Sequence, residues 1–252
     1  MAVSIYQQTN AGKLHTNNED NVLSVAFASS DEHYLALVSD GVGGHAFGEV
    51  ASQTAVDIFA DLVKKNMLDV AFDISMRDAM LEMSARRAHL TIAEKAKQGT
   101  ELCGMSCTLI AALLDPSLVG FVNVGDSRLY LFSGNTLQQV SRDQTIARAL
   151  LKDGQISADE LTTHPDRNVL QFSLGVEGGN CSIEPQVGHF AWHSGDKILL
   201  CSDGLTDMLP DDVIEHTLQQ YSGDGAVQQL IEQALTAGGK DNITIVLCEN
   251  GV

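Results

Sequence analysis

The amino-acid sequence predicts an α+β fold in which two packed antiparallel sheets carry helices on their outer faces. Three observations lead there. Seven short runs rich in Val, Leu and Ile, bounded by Gly, Asp, Asn or Ser, read as strands. Two long stretches of helical spacing stand together between the second and third of those runs instead of alternating with strands, which separates this chain from βαβ architectures. So many strands need a second sheet to cover them.

The strands are expected at Val22–Phe27, Tyr34–Val38, Thr108–Leu114, Leu118–Val124, Arg128–Phe132, Lys197–Cys201 and Ile243–Leu247. Gly125-Asp126-Ser127, between the fourth and fifth, is a hairpin signal. From Glu49 to Lys65, Ala51, Ala55, Ile58 and Leu62 recur at helical spacing, and from Ser75 to Lys97 Met76, Met80, Met83 and Leu90 form a second stripe, read as core filling. Gln98-Gly99-Thr100 ends that helix. Shorter helices are expected at Asp212–Gln220 and Ala226–Thr236. The stretch 141–179 is more polar and punctuated by Pro and Gly, and reads as short helices and loops beside the sheets. No Pro- or Ser-rich linker interrupts the chain, so residues 1–252 are expected to form one domain.

Composition excludes several functions. The chain of 252 residues has 33 Asp and Glu against 15 Lys and Arg, a formal net charge of −18. A basic face for nucleic acid is not expected. No apolar run is long enough to cross a membrane, and the start of the chain lacks the basic and apolar regions of a secretory signal. The five cysteines, Cys103, Cys107, Cys181, Cys201 and Cys248, include no C-x-x-C pair and fit a reducing, cytoplasmic setting.

The chemistry is expected in four aspartates: Asp20, Asp40, Asp203 and Asp241. Leu35-Ala36-Leu37-Val38-Ser39-Asp40-Gly41 and Ile198-Leu199-Leu200-Cys201-Ser202-Asp203-Gly204 both read as a buried strand ending in Ser-Asp-Gly. A carboxylate at such a place is costly unless paired or bound to a cation. Singly, each Asp-Gly is a turn signal. Jointly they point to one site collecting oxygen ligands from distant segments, which suits Mg²⁺ or Mn²⁺ better than zinc or copper. Gly41 lets a backbone carbonyl approach an ion closely. Other motifs fall away. The loop 41–48 has no Gly-Lys-Ser/Thr, the acidic run Asp203, Asp207, Asp211, Asp212 lacks the calcium-loop glycine, no Gly-x-Ser-x-Gly occurs, and His189 and His193 lack the metalloprotease Glu between them.

Beyond these readings, the segments Asn18-Glu19-Asp20, Ser39-Asp40-Gly41-Val42-Gly43-Gly44-His45, Gly125-Asp126-Ser127-Arg128, Ser202-Asp203-Gly204-Leu205 and Lys240-Asp241-Asn242-Ile243-Thr244 stand in an order that resembles the metal-dependent protein phosphatase 2C type (PPM family), in its compact bacterial form. Ser141-Arg142-Asp143-Gln144 and the stretch from Asp153 to Gly175 are similar to that family's flap. The resemblance runs nearly end to end. It implies a four-layer α-β-β-α sandwich and a protein serine/threonine phosphatase using two Mn²⁺ or Mg²⁺ ions, with a possible third. It implies that Asp40 bridges both ions, that the Gly41 carbonyl holds the first, that Asp203 and Asp241 hold the second, and that Glu19 and Asp20 act mainly through water. Asp126, with Asp203, matches the place of a third ion. The implied reaction is in-line attack on phosphorus by a hydroxide between the metals, with no covalent intermediate. Phosphorylated Ser/Thr proteins are the implied substrates, a Ser/Thr kinase the implied opposing partner, and a monomer the implied state.

Two positions depart from the family pattern. The arginine that grips substrate phosphate is replaced by His15, with Lys13 the nearest permanent cation. Histidine offers fewer donors and is charged only at lower pH. Val42 stands where many eukaryotic members place a histidine acid, whereas bacterial relatives often have an apolar residue there. A catalytically weakened phosphoprotein-binding module, or a hydrolase of another phosphoester, are the alternative readings.

Overall fold

The computed structural model describes residues 3–27, 33–42, 47–70, 73–176 and 183–251. Gly43, Gly44, His45 and Cys181 lie outside these residues.

The strands are β1 (Val3–Asn10), β2 (Asn21–Ala26), β3 (Tyr34–Ser39), β4 (Leu109–Leu114), β5 (Leu118–Val124), β6 (Arg128–Ser133), β7 (Thr136–Gln139), β8 (Gln186–Ala191), β9 (Lys197–Cys201) and β10 (Ile243–Asn250). The helices are α1 (Gly48–Val70), α2 (Ile74–Ala96), α3 (Ile146–Lys152), α4 (Ala158–Leu161), α5 (Asp203–Thr206), α6 (Asp211–Gln220) and α7 (Gly223–Ala237). The strands form two five-stranded antiparallel sheets, ordered β1-β10-β9-β6-β7 and β2-β3-β4-β5-β8.

Three apolar layers join these parts into the α-β-β-α sandwich. Between the sheets lie Val38, Ile110, Ala112, Phe121, Leu129, Trp192, Ile198, Leu200 and Val246, all buried. Strand alternation sends the other face outward. Leu35, Leu37, Leu109, Ala111 and Leu113 meet Ala51, Ala55, Phe59, Leu81, Ala88 and Ile92 of α1 and α2. On the far side Tyr130, Leu199, Ile245 and Leu247 meet Ile214, Leu218, Leu230 and Ile231 of α6 and α7.

Two expectations are corrected. Gly125-Asp126-Ser127 does not turn a hairpin, because β5 pairs with β4 and β8 whereas β6 pairs with β9 and β7. The three residues carry the chain from one sheet to the other. Gly125 has φ +108°, and a Cβ there would meet the Thr108 side chain at 2.7 Å, so only glycine fits the crossing. The methionine stripe of α2 is also not core. Met76, Met83 and Leu90 are 50%, 70% and 48% exposed, and only Met80 of the four is buried. The buried face runs instead through Leu81, Ala85, Ala88 and Ile92, whose small residues let α2 lie close. In α1, Ala51 and Ala55 are buried as expected, while Ile58 and Leu62 are half-buried beside a deeper row of Val56, Phe59 and Val63.

Three strands, β1, β7 and β8, were not foreseen, and all are sheet edges. An edge strand has one paired neighbour and carries more polar residues, as in Thr136-Leu137-Gln138-Gln139. No described helix is long and apolar enough to cross a membrane.

Candidate metal centre

The registers bring the sequence-predicted carboxylates to one end of the sandwich. Asn21 pairs with Ser39, so Asp20 before β2 and Asp40 after β3 stand at the same edge. Leu109 pairs with Val124, which puts the crossing residue Asp126 at that edge too. In the other sheet Cys201 pairs with Ile245 and with Arg128, which aligns Asp203, Asp241 and Asp126. A cleft of about 770 Å³ opens there, and Glu19, Asp40, Gly41, Asp126, Asp203, Asp241 and His15 line it. Asp20 lies beneath, 5% exposed.

Hydroxyls and amides fix this edge. Ser39 and Ser202, the serines of the two Ser-Asp-Gly turns, are both fully buried. Ser39 donates to the Thr108 carbonyl at 2.6 Å, and Ser202 donates to Asp20 Oδ2 at 2.8 Å. Thr108 Oγ1 accepts from the Asp40 amide at 3.0 Å and pairs with the Ser127 hydroxyl at 2.7 Å. The strand end carrying Asp40 and the crossing carrying Asp126 therefore share one anchor. Asn242 is a second. Its Oδ1 accepts from the Glu19 amide at 2.7 Å, and its Nδ2 donates to the carbonyls of Ala11 and Asn17 at 2.9 and 3.0 Å. Sequence reasoning identified neither Thr108 nor Asn242. Asn242 follows Asp241 in a matched motif, but nothing in the motif shows that its amide spans the chain to residues 11–19.

Glycine backbone makes the closest approaches. A Cβ on Gly41 would meet the Gly48 backbone at 2.5 Å and the Glu19 carbonyl at 2.8 Å. A Cβ on Gly204 would collide with the carbonyl of Asn242.

The electrostatics mark an unsatisfied acidic site. Burial, then the charges of Asp20, Asp203, Asp126 and Asp241, push the Asp40 carboxyl well above its ordinary value. Burial, then Asp126, Asp207 and Asp241, do the same to Asp203. Asp20 is raised to about 6, chiefly by burial. Asp126 is raised to about 7 by burial and by Asp143. Glu19 is raised by burial and by Glu49. Three buried oxygens here, Glu19 Oε2, Asp20 Oδ1 and Asp203 Oδ1, have no hydrogen-bond partner among the described residues. Such atoms are costly unless a cation or water meets them. An oxygen-only donor set with a backbone carbonyl beside it fits Mg²⁺ or Mn²⁺. Among the described residues, no group of three or more His, Cys, Asp or Glu side chains is placed to hold a metal ion by itself.

His15 stands at the mouth, with Nε2 3.6 Å from Asp241 Oδ1 and its side chain 49% exposed. It is the one basic side chain among the described residues lining the cleft; Lys13 does not line it. Asn168, Val169, Leu170 and Ser173 form part of the cleft wall. Asn168 donates to Asp207, while Leu170 and Ser173 face the cleft. Val42 lines the cleft and offers no proton donor. No cysteine does so among the described residues. Burial pushes the Cys107 and Cys201 thiols up to about 12, which holds them as inert thiols.

The family model described as protein phosphatase 2C matches residues 10–236. Among curated proteins, the serine/threonine phosphatase stp of Listeria welshimeri is 36% identical over 247 residues, covering 97% of this chain and 95% of that protein. Among solved structures, the Mycobacterium tuberculosis serine/threonine phosphatase PstP superposes with a TM-score of 0.86 at 33% identity over 100% of both chains. The catalytic domain of PstP in complex with two manganese ions does so with a TM-score of 0.81 at 32% identity, covering 98% of this chain and 97% of that one. Asp241 lies beyond the family-model match but within the span shared with these relatives.

Proposed function

The chain belongs to the protein phosphatase 2C family and is a serine/threonine phosphatase, and on that premise we propose how its residues divide the work. The ions are Mn²⁺ or Mg²⁺, two per site, a reading supported by the two manganese ions of the PstP complex and by the all-oxygen donor set. Asp40 would hold both ions and the Gly41 carbonyl the first, and Asp203 and Asp241 would hold the second. Glu19 and Asp20 act mainly through water, and Asp126 with Asp203 takes a weaker third ion. When bound, the ions acidify water and neutralise charge on the phosphoryl oxygens. His15 at the mouth contacts the substrate phosphate, in place of the family's arginine. Ser202 holds Asp20 and Thr108 holds the Asp40 turn, so the carboxylates keep their positions as protons leave them.

The substrates are phosphoserine and phosphothreonine proteins, set against a Ser/Thr kinase. The protein acts as a cytoplasmic monomer without nucleic acid. Residues 1–252 work as one unit, with 141–179 as the flap beside the site.

The observation that carries the metal assignment is the set of three buried carboxylate oxygens, at the meeting point of both sheets, that have no hydrogen-bond partner among the described residues. Calorimetric titration of metal-stripped protein with Mn²⁺ tests it. At least two ions per chain are expected, with binding lost or reduced to one ion in Asp203→Asn. Absence of binding to the native chain would overturn the assignment.

A further inference from the structure

A second cleft, of about 550 Å³, lies behind the wall of the first. The strip 170–173 separates them: Leu170 and Ser173 face the carboxylate cleft, and Gln171 and Phe172 face the second one. The strip is held in place. Gln171 N–H donates to the Gln144 carbonyl at 2.8 Å, and Leu174 and Cys107 exchange backbone hydrogen bonds at 2.8 and 3.1 Å. The two clefts thus share one thin, ordered partition.

The lining of the second cleft runs against the character of the chain. Of only 15 Lys and Arg in a protein of net charge −18, three, Arg142, Arg148 and Lys152, converge here. The carboxylates facing them are Asp143 and Glu184. Asp143 is already engaged by Arg128 in a two-pronged contact at 2.9 and 2.8 Å, and Arg148 approaches the same Oδ2 at 3.4 Å. Glu184 is exposed at the rim, and its backbone carbonyl accepts from Gln144. Among the described residues, neither Arg142 nor Lys152 has a carboxylate partner. The backbone of Arg142 is fixed by Gln186 and Asn123, leaving its exposed guanidinium free to meet a ligand. Phe172 and Pro185 give the cleft apolar wall. A planar guanidinium beside an ammonium and apolar surface suits a phosphate or carboxylate carried on a peptide.

We propose that this cleft is a docking subsite for a second anionic group, phosphate or carboxylate, on the same peptide whose phosphate is hydrolysed next door. The assignment rests on the phosphatase reading. It makes this enzyme favour multiply phosphorylated or acid-flanked segments, and it gives an acidic protein a local counter-charge with which to hold an acidic substrate.

The test compares phosphothreonine peptides that are otherwise neutral with the same peptides carrying phosphoserine or glutamate up to about five residues away on either side, a reach of about 17 Å. Native protein and the double variant Arg142→Gln, Lys152→Gln are used, with p-nitrophenyl phosphate as a flank-free ester. The native enzyme is expected to show a KM lower by about ten-fold for a correctly placed anionic flank, fading at high salt. The double variant is expected to lose that preference while kcat on all peptides and turnover of the small ester stay unchanged. Equal KM values with and without flanks in the native enzyme, or a preference that survives in the double variant, would overturn the proposal. So would a fall in small-ester turnover in the variant. Inorganic phosphate provides the remaining arm. If the variant changes only inhibition of the small ester by phosphate, the cleft is a site for the free product and the peptide subsite is wrong. Small-ester turnover by native protein reports the metal centre independently, so failure of the subsite is distinguishable from failure of the phosphatase reading.

Discussion

Replacing Asn242 by alanine removes three hydrogen bonds at once: one accepted from the Glu19 amide and two donated to the carbonyls of Ala11 and Asn17. Asn242 is only 5% exposed, so its side chain is a strut between the strand that begins at Ile243 and the loop bearing His15, Glu19 and Asp20. Each such bond is worth about 1 kcal/mol net. Water can reach the exposed Asn17 once the amide is gone, which lowers the total to about 2–3 kcal/mol. For a chain of this size that corresponds to a fall in Tm of about 5–10 °C. The freed loop carries Glu19 and Asp20, the two carboxylates proposed to act mainly through water, so apparent Mn²⁺ affinity should drop about 10–100-fold, as when an outer partner of a metal ligand is removed. Differential scanning calorimetry of the metal-stripped variant gives the first quantity and Mn²⁺ titration the second. A Tm within about 2 °C of the native value together with unchanged Mn²⁺ affinity would refute the reasoning, because it would show that the loop holds its place without the amide.

Gly125→Ala places a Cβ against Thr108 at φ +108°, and should cost about 2–4 kcal/mol in urea unfolding while lowering kcat, since Thr108 also holds the Asp40 amide. A neutral outcome would mean that the sheet crossing is not rigid. The metal-stripped protein should lose stability as pH rises. Asp20 and Asp126 have folded-state values raised to about 6 and about 7 from 3.8, so the folded chain binds protons more tightly than the unfolded one. Their contribution is fully present below 3.8 and is lost as pH rises through about 6 to 7. The Tm of chelated protein measured from pH 5 to pH 8 should fall, and saturating Mn²⁺ should reverse the trend; a rising Tm without metal would contradict the burial argument. His15→Arg should lower the KM for p-nitrophenyl phosphate by supplying a permanent fork at the mouth. An unchanged KM would remove His15 from the phosphate contact.

Much of the architecture was legible because its strands are interior. β3, β4, β5, β9 and the first part of β10 are near-continuous apolar runs, buried on both faces, and the sequence marks such runs sharply. The edges β1, β7 and β8 were not legible for the converse reason: nearly all their residues are exposed or half-buried, so no dense apolar signal survives. The Gly-Asp-Ser crossing was misread because a tight hairpin and a sheet-to-sheet step ask for the same residues. Only pairing partners beyond the turn tell them apart. The α2 methionines show that size and apolarity do not imply burial, since alanine and leucine form the face that docks. That the carboxylates meet in one cleft was legible as well. An aspartate at the end of an apolar strand is so costly that few arrangements explain several of them. The supports were hidden, since Thr108, Ser202 and Asn242 act through contacts between residues far apart in the chain.

The central claim is that carboxylates from both sheets hold divalent ions that hydrolyse phosphoprotein. The most direct measurement is phosphate release from a phosphothreonine peptide by chelated protein to which Mn²⁺ is returned, with Asp40→Asn and Asp203→Asn in parallel. The account predicts no release without metal, turnover restored by Mn²⁺ in the native chain, and turnover lost in both variants although both remain folded. Phosphate release that persists in chelator, or that survives in Asp40→Asn, would contradict it.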